Sequence, residues 1–513
     1  MGSSLIGGVP LGLALLPDLI LGGGALAVLL FAVWPAESAR HTRRVHAAAM
    51  LVVLAALAAC VGLATAGPTI APAAALAGDT FRWAMTAVVL VATLGALVLA
   101  RDYNGGAALV APEPPALVLL SATGMLLLGA ARDLTLVFLG IEVMSVAVYV
   151  LAGLDRRRPG SAEAALKYFL LGAFSTAFLV YGMALVYGAT GATQFGAIAE
   201  AIRSRDLAGD PILVAGTALL FVGFAFKVAA VPFHMWAPDV YQGAPTPYTA
   251  FMAAGVKIAA FAGLARLASE ALGPAFDSWY PVVWMLAAVT MVAGNVLALT
   301  QRNVKRMLAY SSVAHAGYLL VAVAAGTGQA TAAIVFYGLA YTLATLGAFG
   351  VLTIVSGGLE ERTTLDDLAG LVHVRPRLAA AMTVFMLSFL GFPLAGGMGF
   401  FAKWYVLRAA MEAPGPLVKL AVLLVLASVV SAGYYLGVVA TMYMKPRAEG
   451  AAPIPATPRL TGALVAVAAV VTLALGVYPV PAIRWAREAA LAGPPGREAA
   501  AEAAGPIATT TQP

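Results

Sequence analysis

The chain has 513 residues, 62% of them hydrophobic and 11% charged, with a net charge of +6 and a mean hydropathy of +0.92. A water-soluble domain carries about 25% charged residues, so this composition excludes a water-facing globular surface. With one cysteine, Cys60, and five scattered histidines, it also leaves no thiolate set for an iron–sulfur cluster, no internal disulfide and no obvious metal site.

Fourteen apolar segments follow one another, over roughly 11–33, 45–66, 83–100, 115–131, 134–153, 162–189, 211–232, 248–268, 281–300, 304–325, 330–356, 378–407, 416–442 and 461–479. Each approaches the roughly 20 residues that a bilayer span requires, which predicts an all-α polytopic membrane protein. The first segment, Leu11 to Trp34, has no Lys or Arg before it, so it is expected to stay as a span rather than be removed as a leader. The stretch after about Pro481 is rich in Ala, Gly and Pro, lacks periodicity and is expected to be disordered.

Sixteen Lys and Arg residues fall in odd-numbered loops and ten in even loops and the tail. That bias places the odd loops in the cytoplasm and both termini outside. The basic residues stand singly or in short clusters at span ends, so the positive balance reads as topology and not as nucleic-acid binding. With the residues at span ends counted to the loops, four basic residues remain inside spans and all are lysines: Lys167, Lys227, Lys257 and Lys403. Each buried charge costs about 2.5–3.5 kcal/mol on insertion scales. Arginine stays charged, whereas a desolvated lysine gives up its proton, so the pattern points to groups that take up and release protons.

In chain order, Glu142 (LGIEVMSVAVYVL) is the one acid near the middle of a span and needs a cationic or hydrogen-bonding partner. Lys167 lies early in its span, where Glu163 at i,i+4 offers a purely structural pairing. Lys227 lies deep in the seventh span, five residues before Pro232, which removes a backbone donor and is expected to break the helix. Such irregular backbone at membrane depth is tolerated inside protein or around a polar cavity. His234 follows in a polar turn, as a proton carrier or an interface histidine. Lys257 sits about ten residues into the eighth span. Lys305 and His315 share the tenth, the first reading mainly as topology and the second as a possible lining of a wet path with Ser311 and Ser312. Lys403 follows a twelfth span interrupted by Pro393, Gly396, Gly397 and Gly399. Two interrupted spans, each with a lysine, suggest structural repeats: three N-terminal spans (1–114), a first five-span unit (115–268), a second (281–442), a last span (461–479) and the tail (481–513).

The run PFHMWAPDVYQGAPTP, with Lys227 before it and Lys257 after it, resembles the antiporter-like membrane subunits of proton-pumping NADH:quinone oxidoreductase, respiratory complex I. EAALKYFLLGAFSTAFLVYGMALVYG and NVKRMLAYSSVAHAGY look like the subunit N branch of that family. The resemblance covers roughly residues 115–445. It implies inverted five-helix repeats with discontinuous seventh and twelfth helices, a Glu142–Lys227 pair, Lys257 as a central relay and Lys403 on the exit side. It further implies no redox cofactor in this chain, with FMN, iron–sulfur clusters and quinone held by partner subunits, membrane and peripheral. The alternatives are a subunit of a multisubunit sodium/proton antiporter or a membrane-bound hydrogenase, or a structural membrane scaffold. The Ala-rich composition points to a bacterial plasma (inner) membrane.

Overall fold

The computed structural model describes residues 5–6, 9–34, 38–66, 75–106, 111–357, 362–394, 396–413, 417–450 and 453–491. Apart from a two-residue antiparallel pair near the start, Leu5–Ile6 with Val9–Pro10, the regular structure is helical. The helices are α1 (Leu16–Val33), α2 (Ala39–Thr65), α3 (Thr80–Gly106), α4 (Pro114–Ala130), α5 (Leu134–Ala152), α6 (Pro159–Thr190), α7 (Phe195–Ser204), α8 (Pro211–Val228), α9 (Trp236–Gly243), α10 (Thr246–Ala271), α11 (Phe276–Leu299), α12 (Val304–Ala325), α13 (Gly328–Ser356), α14 (Pro376–Leu390), α15 (Met398–Glu412), α16 (Val418–Met444), α17 (Arg459–Val477) and α18 (Val480–Leu491). Twelve helices among the described residues are long and apolar enough to cross a membrane. The shorter α4, and α14 with α15 in two pieces, occupy the remaining two predicted spans.

Burial sorts these helices into a core and a rim. α10 is buried apart from Ser269 and Glu270, and α12 and α13 nearly throughout, although all three carry polar side chains. The outer helices instead expose leucine and phenylalanine, including Leu26 and Leu30 on α1, Leu51 on α2 and Phe169 and Phe174 on α6. An apolar exterior around a partly polar centre is the distribution a bilayer solvent selects. Packing repeats along the chain. In the first unit α4 pairs with α5, and α6 lies along the broken pair α8 and α9; in the second α11 pairs with α12, and α13 lies along α14 and α15. The proline-bearing segments break as predicted. α8 ends at Ala229, with φ 59°, and α14 ends at Gly391, with φ 74°.

The end of the bundle that the N terminus enters corrects one expectation. A membrane interior with lysine and no arginine does not hold: α10 runs on to Ala271, and Arg266 lies inside it, fully buried. Its guanidinium grips Asp79 with both Nη atoms, at 2.8 and 2.5 Å, and donates to Glu270 at 2.7 Å and to the Gly129 carbonyl at 2.9 Å. Arg132 bridges Glu270 at 2.8 Å, and buried Arg82 reaches Asp18 at 2.5 Å. Three arginines and three acids thus neutralise one another where α1, α3, α4 and α10 converge, which is how a buried charge is retained.

The tail is a second correction. Val480–Leu491 is helical, because Ala482, Ala486 and Ala489 form a small-residue stripe that packs against α3 and α13. The Thr80 hydroxyl donates to the carbonyls of Glu488 and Ala489 at 3.0 and 3.1 Å. The rest of the predicted disordered tail lies outside the described residues.

Candidate functional site

On α5, Glu142, Ser145 and Tyr149 follow at i, i+3 and i+7 and so share one face. Lys227, buried at the end of α8, donates to Ser145 Oγ at 2.7 Å and Tyr149 OH at 3.2 Å. Glu142 accepts from Thr176 Oγ1 at 2.7 Å. Among the described residues no ion pair joins Glu142 to Lys227, although the carboxylate is near enough to act electrostatically on the amine. Lys227 thus meets the face of α5 that also carries Glu142, with Ser145 next to the ammonium.

The break after α8 leaves few backbone groups stranded. Ala230 N–H returns to the Ala225 carbonyl at 2.7 Å, Val231 N–H donates to Thr290 Oγ1 at 3.0 Å, and the Trp236 indole donates to the Phe226 carbonyl at 2.9 Å. Pro232 lies in this loop. His234 faces Tyr310, ring centres 6.3 Å apart, and joins none of the lysine contacts.

Lys257 is buried on α10 and donates to the Ser312 carbonyl at 2.5 Å and to the Ser312 hydroxyl, which also faces Tyr241 OH at 3.5 Å. The neighbouring Ser311 hydroxyl bonds Tyr435 OH on α16. Tyr435 meets His315 Nε2 at 3.1 Å, and His315 Nδ1 meets Tyr337 OH at 2.5 Å. The His315 imidazole lies within electrostatic reach of both Lys257 and Lys403. A small cavity lined by His315, Tyr337, Tyr341, Ser388 and Gly399 opens beside it.

Lys403, on α15, donates to the Leu390 carbonyl at 2.9 Å across the second break and lies 4.7 Å over the Tyr318 ring. Tyr318 OH accepts from Asn295, whose carbonyl oxygen accepts from Tyr434. Gly391 is needed here twice over: its φ is positive, and a Cβ would lie 2.9 Å from Lys403 Cδ. Gly396 N–H closes a turn on the Phe392 carbonyl at 2.8 Å after Pro393, and a Cβ on Gly397 would press 2.2 Å against the Thr472 carbonyl.

Lys167 and Lys305 lie elsewhere. Lys167 is partly exposed and pairs with Glu163 at 2.6 Å and Asp239 at 2.7 Å, and Asp239 also takes Arg306 at 2.6 Å. Lys305 is buried and donates to the Ala244 carbonyl at 2.6 Å. Thus the structure brings Lys257 and His315 to neighbouring serines of α12, Ser312 and Ser311, sets Lys227 and Lys403 at the two breaks, and puts Lys167 in an ion-pair cluster near the surface. Thr176, Tyr149, Tyr241, Tyr337 and Tyr435 escaped the sequence reading, since one tyrosine in an apolar span looks like any other core aromatic. Among the described residues, no group of three or more His, Cys, Asp or Glu side chains is placed to hold a metal ion.

Residues 131–431 match the family described as NADH:quinone oxidoreductase/Mrp antiporter, TM. A NADH-quinone oxidoreductase subunit N from Gemmatimonas aurantiaca is 54% identical over 93% of this chain and 93% of its own length. A chain of respiratory complex I from Thermus thermophilus superposes with a TM-score of 0.77 at 36% identity, covering 91% of this chain and 98% of that one. A chain of the Mrp complex from Dietzia sp. shares the fold, with a TM-score of 0.79 at 22% identity over 93% and 96% of the two chains.

Proposed function

The chain belongs to the NADH:quinone oxidoreductase/Mrp antiporter family of transmembrane subunits, and on that premise we propose that it is the subunit N type of proton-translocating membrane subunit in an NADH:quinone oxidoreductase. Electrons pass from NADH to quinone in partner subunits that hold FMN and iron–sulfur clusters, and this chain moves protons. The two five-helix units, 115–268 and 281–442, carry the path, in a bacterial inner membrane with both termini on the periplasmic side.

The observation that carries the reading is the environment of Lys257. Its buried amine has serine acceptors and, among the described residues, no carboxylate partner, and it lies one residue from the Ser311–Tyr435–His315 run. An amine, hydroxyls and an imidazole within hydrogen-bonding distance are groups that pass protons. A scaffold needs none of them at the centre of its most buried helices.

In this mechanism, a carboxylate charge on Glu142 stabilises the ammonium form of Lys227. When partner subunits draw that charge away, the desolvated ammonium releases its proton towards Lys257. The proton continues over Ser312, Ser311, Tyr435 and His315 to Lys403. Moving one charge against 100 mV costs about 2.3 kcal/mol, and a proton affinity altered by two units supplies about 2.7 kcal/mol at 1.36 per unit. His234 and Lys305 have no step in this route.

The test is proton pumping per NADH oxidised in inverted vesicles carrying Lys227→Ala, with complex content measured in parallel. The expected result is an assembled complex whose pumping is reduced severalfold. Normal pumping from an assembled complex would return the chain to the scaffold reading.

A further inference from the structure

The buried ionic network at the N-terminal end of the bundle has no place in the proton route, yet one of its members lies on the helix that carries Lys257. α10 is not uniform. π-helical turns at Met252–Val256 and Leu267–Ala271 bracket a ten-residue α-helical stretch, Lys257–Arg266. Lys257 is the first residue of that stretch and Arg266 the last. A π turn holds one extra residue, so migration of that residue along the helix re-registers the stretch between its flanks while the helix persists. A shift of one residue turns a helix by about 100° and moves it about 1.5 Å, which is enough to take the Lys257 amine off Ser312.

Arg266 is the group that opposes such a shift. It is wholly buried and is fixed from three directions: both Nη atoms on Asp79, which precedes α3; Nε on the Gly129 carbonyl at the end of α4; and the Phe81 ring 5.1 Å from the guanidinium carbon. Planar bidentate contact fixes orientation as well as distance, which a lysine ammonium cannot reproduce. Asp79 is itself anchored, accepting the Arg82 backbone N–H at 2.8 Å. Nine residue steps of helix separate Arg266 from Lys257, about 13.5 Å, so the arginine acts through the helix and not by touching the proton path.

We propose that Arg266, clamped by Asp79, is a positioning residue: it sets the rotation and height of the Lys257–Arg266 stretch and thereby seats the Lys257 amine on Ser312. The inference rests on the relay reading of Lys257. The Arg82–Asp18 pair belongs to the same cluster but ties α1 to α3, so it serves as an internal control.

The experiment measures protons pumped per NADH in inverted vesicles, normalised to assembled complex, for Arg266→Lys, Asp79→Glu, Asp18→Asn and Lys257→Ala. A purely structural role lowers the amount of complex and leaves the ratio per complex unchanged. The expected result is that Arg266→Lys lowers the ratio at least about twofold, as misplacement of a reacting group does, and that Asp18→Asn changes only content. If Arg266→Lys does not assemble, Asp79→Glu reads the same quantity, because it keeps the charge but displaces the carboxylate by one methylene. A normal ratio in whichever of these two assembles, together with a lost ratio in Lys257→Ala, overturns the positioning role and leaves the relay standing. A normal ratio in Lys257→Ala overturns the relay and this inference with it.

Discussion

Lys257→Ala is expected to yield a fully assembled complex whose coupled NADH oxidation falls by about tenfold or more, the scale on which positioned proton-transfer groups contribute. The argument that assembly survives is energetic. Among the described residues the amine is bound to the Ser312 carbonyl and hydroxyl, and removing a buried cation relieves an insertion cost of about 2.5–3.5 kcal/mol. The alanine leaves space in a polar neighbourhood and no orphaned charge. Native electrophoresis reports content, and a pH-sensitive dye in vesicles reports pumping. Unchanged pumping at unchanged content would make the lysine a packing residue.

Asp79→Asn acts in the opposite sense, on stability. Burial by itself raises the proton affinity of this carboxyl. The Arg266 charge and its paired hydrogen bonds outweigh that, with the Arg82 backbone N–H and the Arg132 charge adding to them, and hold Asp79 below the usual carboxylate range. The amide cannot neutralise Arg266, and breaking a buried pair from one side costs about 3–5 kcal/mol. A lowered carboxyl pKa contributes stability that is present above its unfolded value and lost as pH falls through the folded one. The gap in thermal stability between wild type and Asp79→Asn should therefore hold from neutral pH down to about 5 and narrow below about pH 4, near the free aspartate value. Thermal melts of the purified complex across that range are the check; a gap independent of pH in acid would show that charge is not its source.

Much of the architecture is written locally. Runs of about twenty apolar residues mark the spans; Pro232 and the Pro393–Gly397 stretch mark the breaks; and Lys227, Lys257 and Lys403 declare themselves because a charge in such a run is costly. What stays hidden depends on distance along the chain. Arg266 reads as a loop residue at the end of its span, since Asp79 lies 187 positions earlier and no local pattern joins them. Tyr435 meets His315 across 120 positions, and only the packing of α12 against α16 reveals it. Glu142 and Lys227 illustrate a subtler limit: the resemblance implies a pair, but not that Ser145 and Tyr149 are the groups that Lys227 touches and Thr176 the one that Glu142 touches. The terminal helix α18 escaped because an Ala-rich stripe has weak apolar contrast until α3 and α13 are there to cover it.

Ser311 and Ser312 are consecutive residues of α12, one facing Tyr435 and the other facing Lys257. On the proposed route all traffic between the halves of the chain crosses that single step, so the groups on either side behave as resistors in series and the slowest sets the current. Lesions in such a line do not multiply. A chain carrying both Lys257→Ala and His315→Ala is expected to pump about as poorly as the worse single variant, the non-additivity shown by residues that act as one unit, whereas two independent channels would each add their own loss.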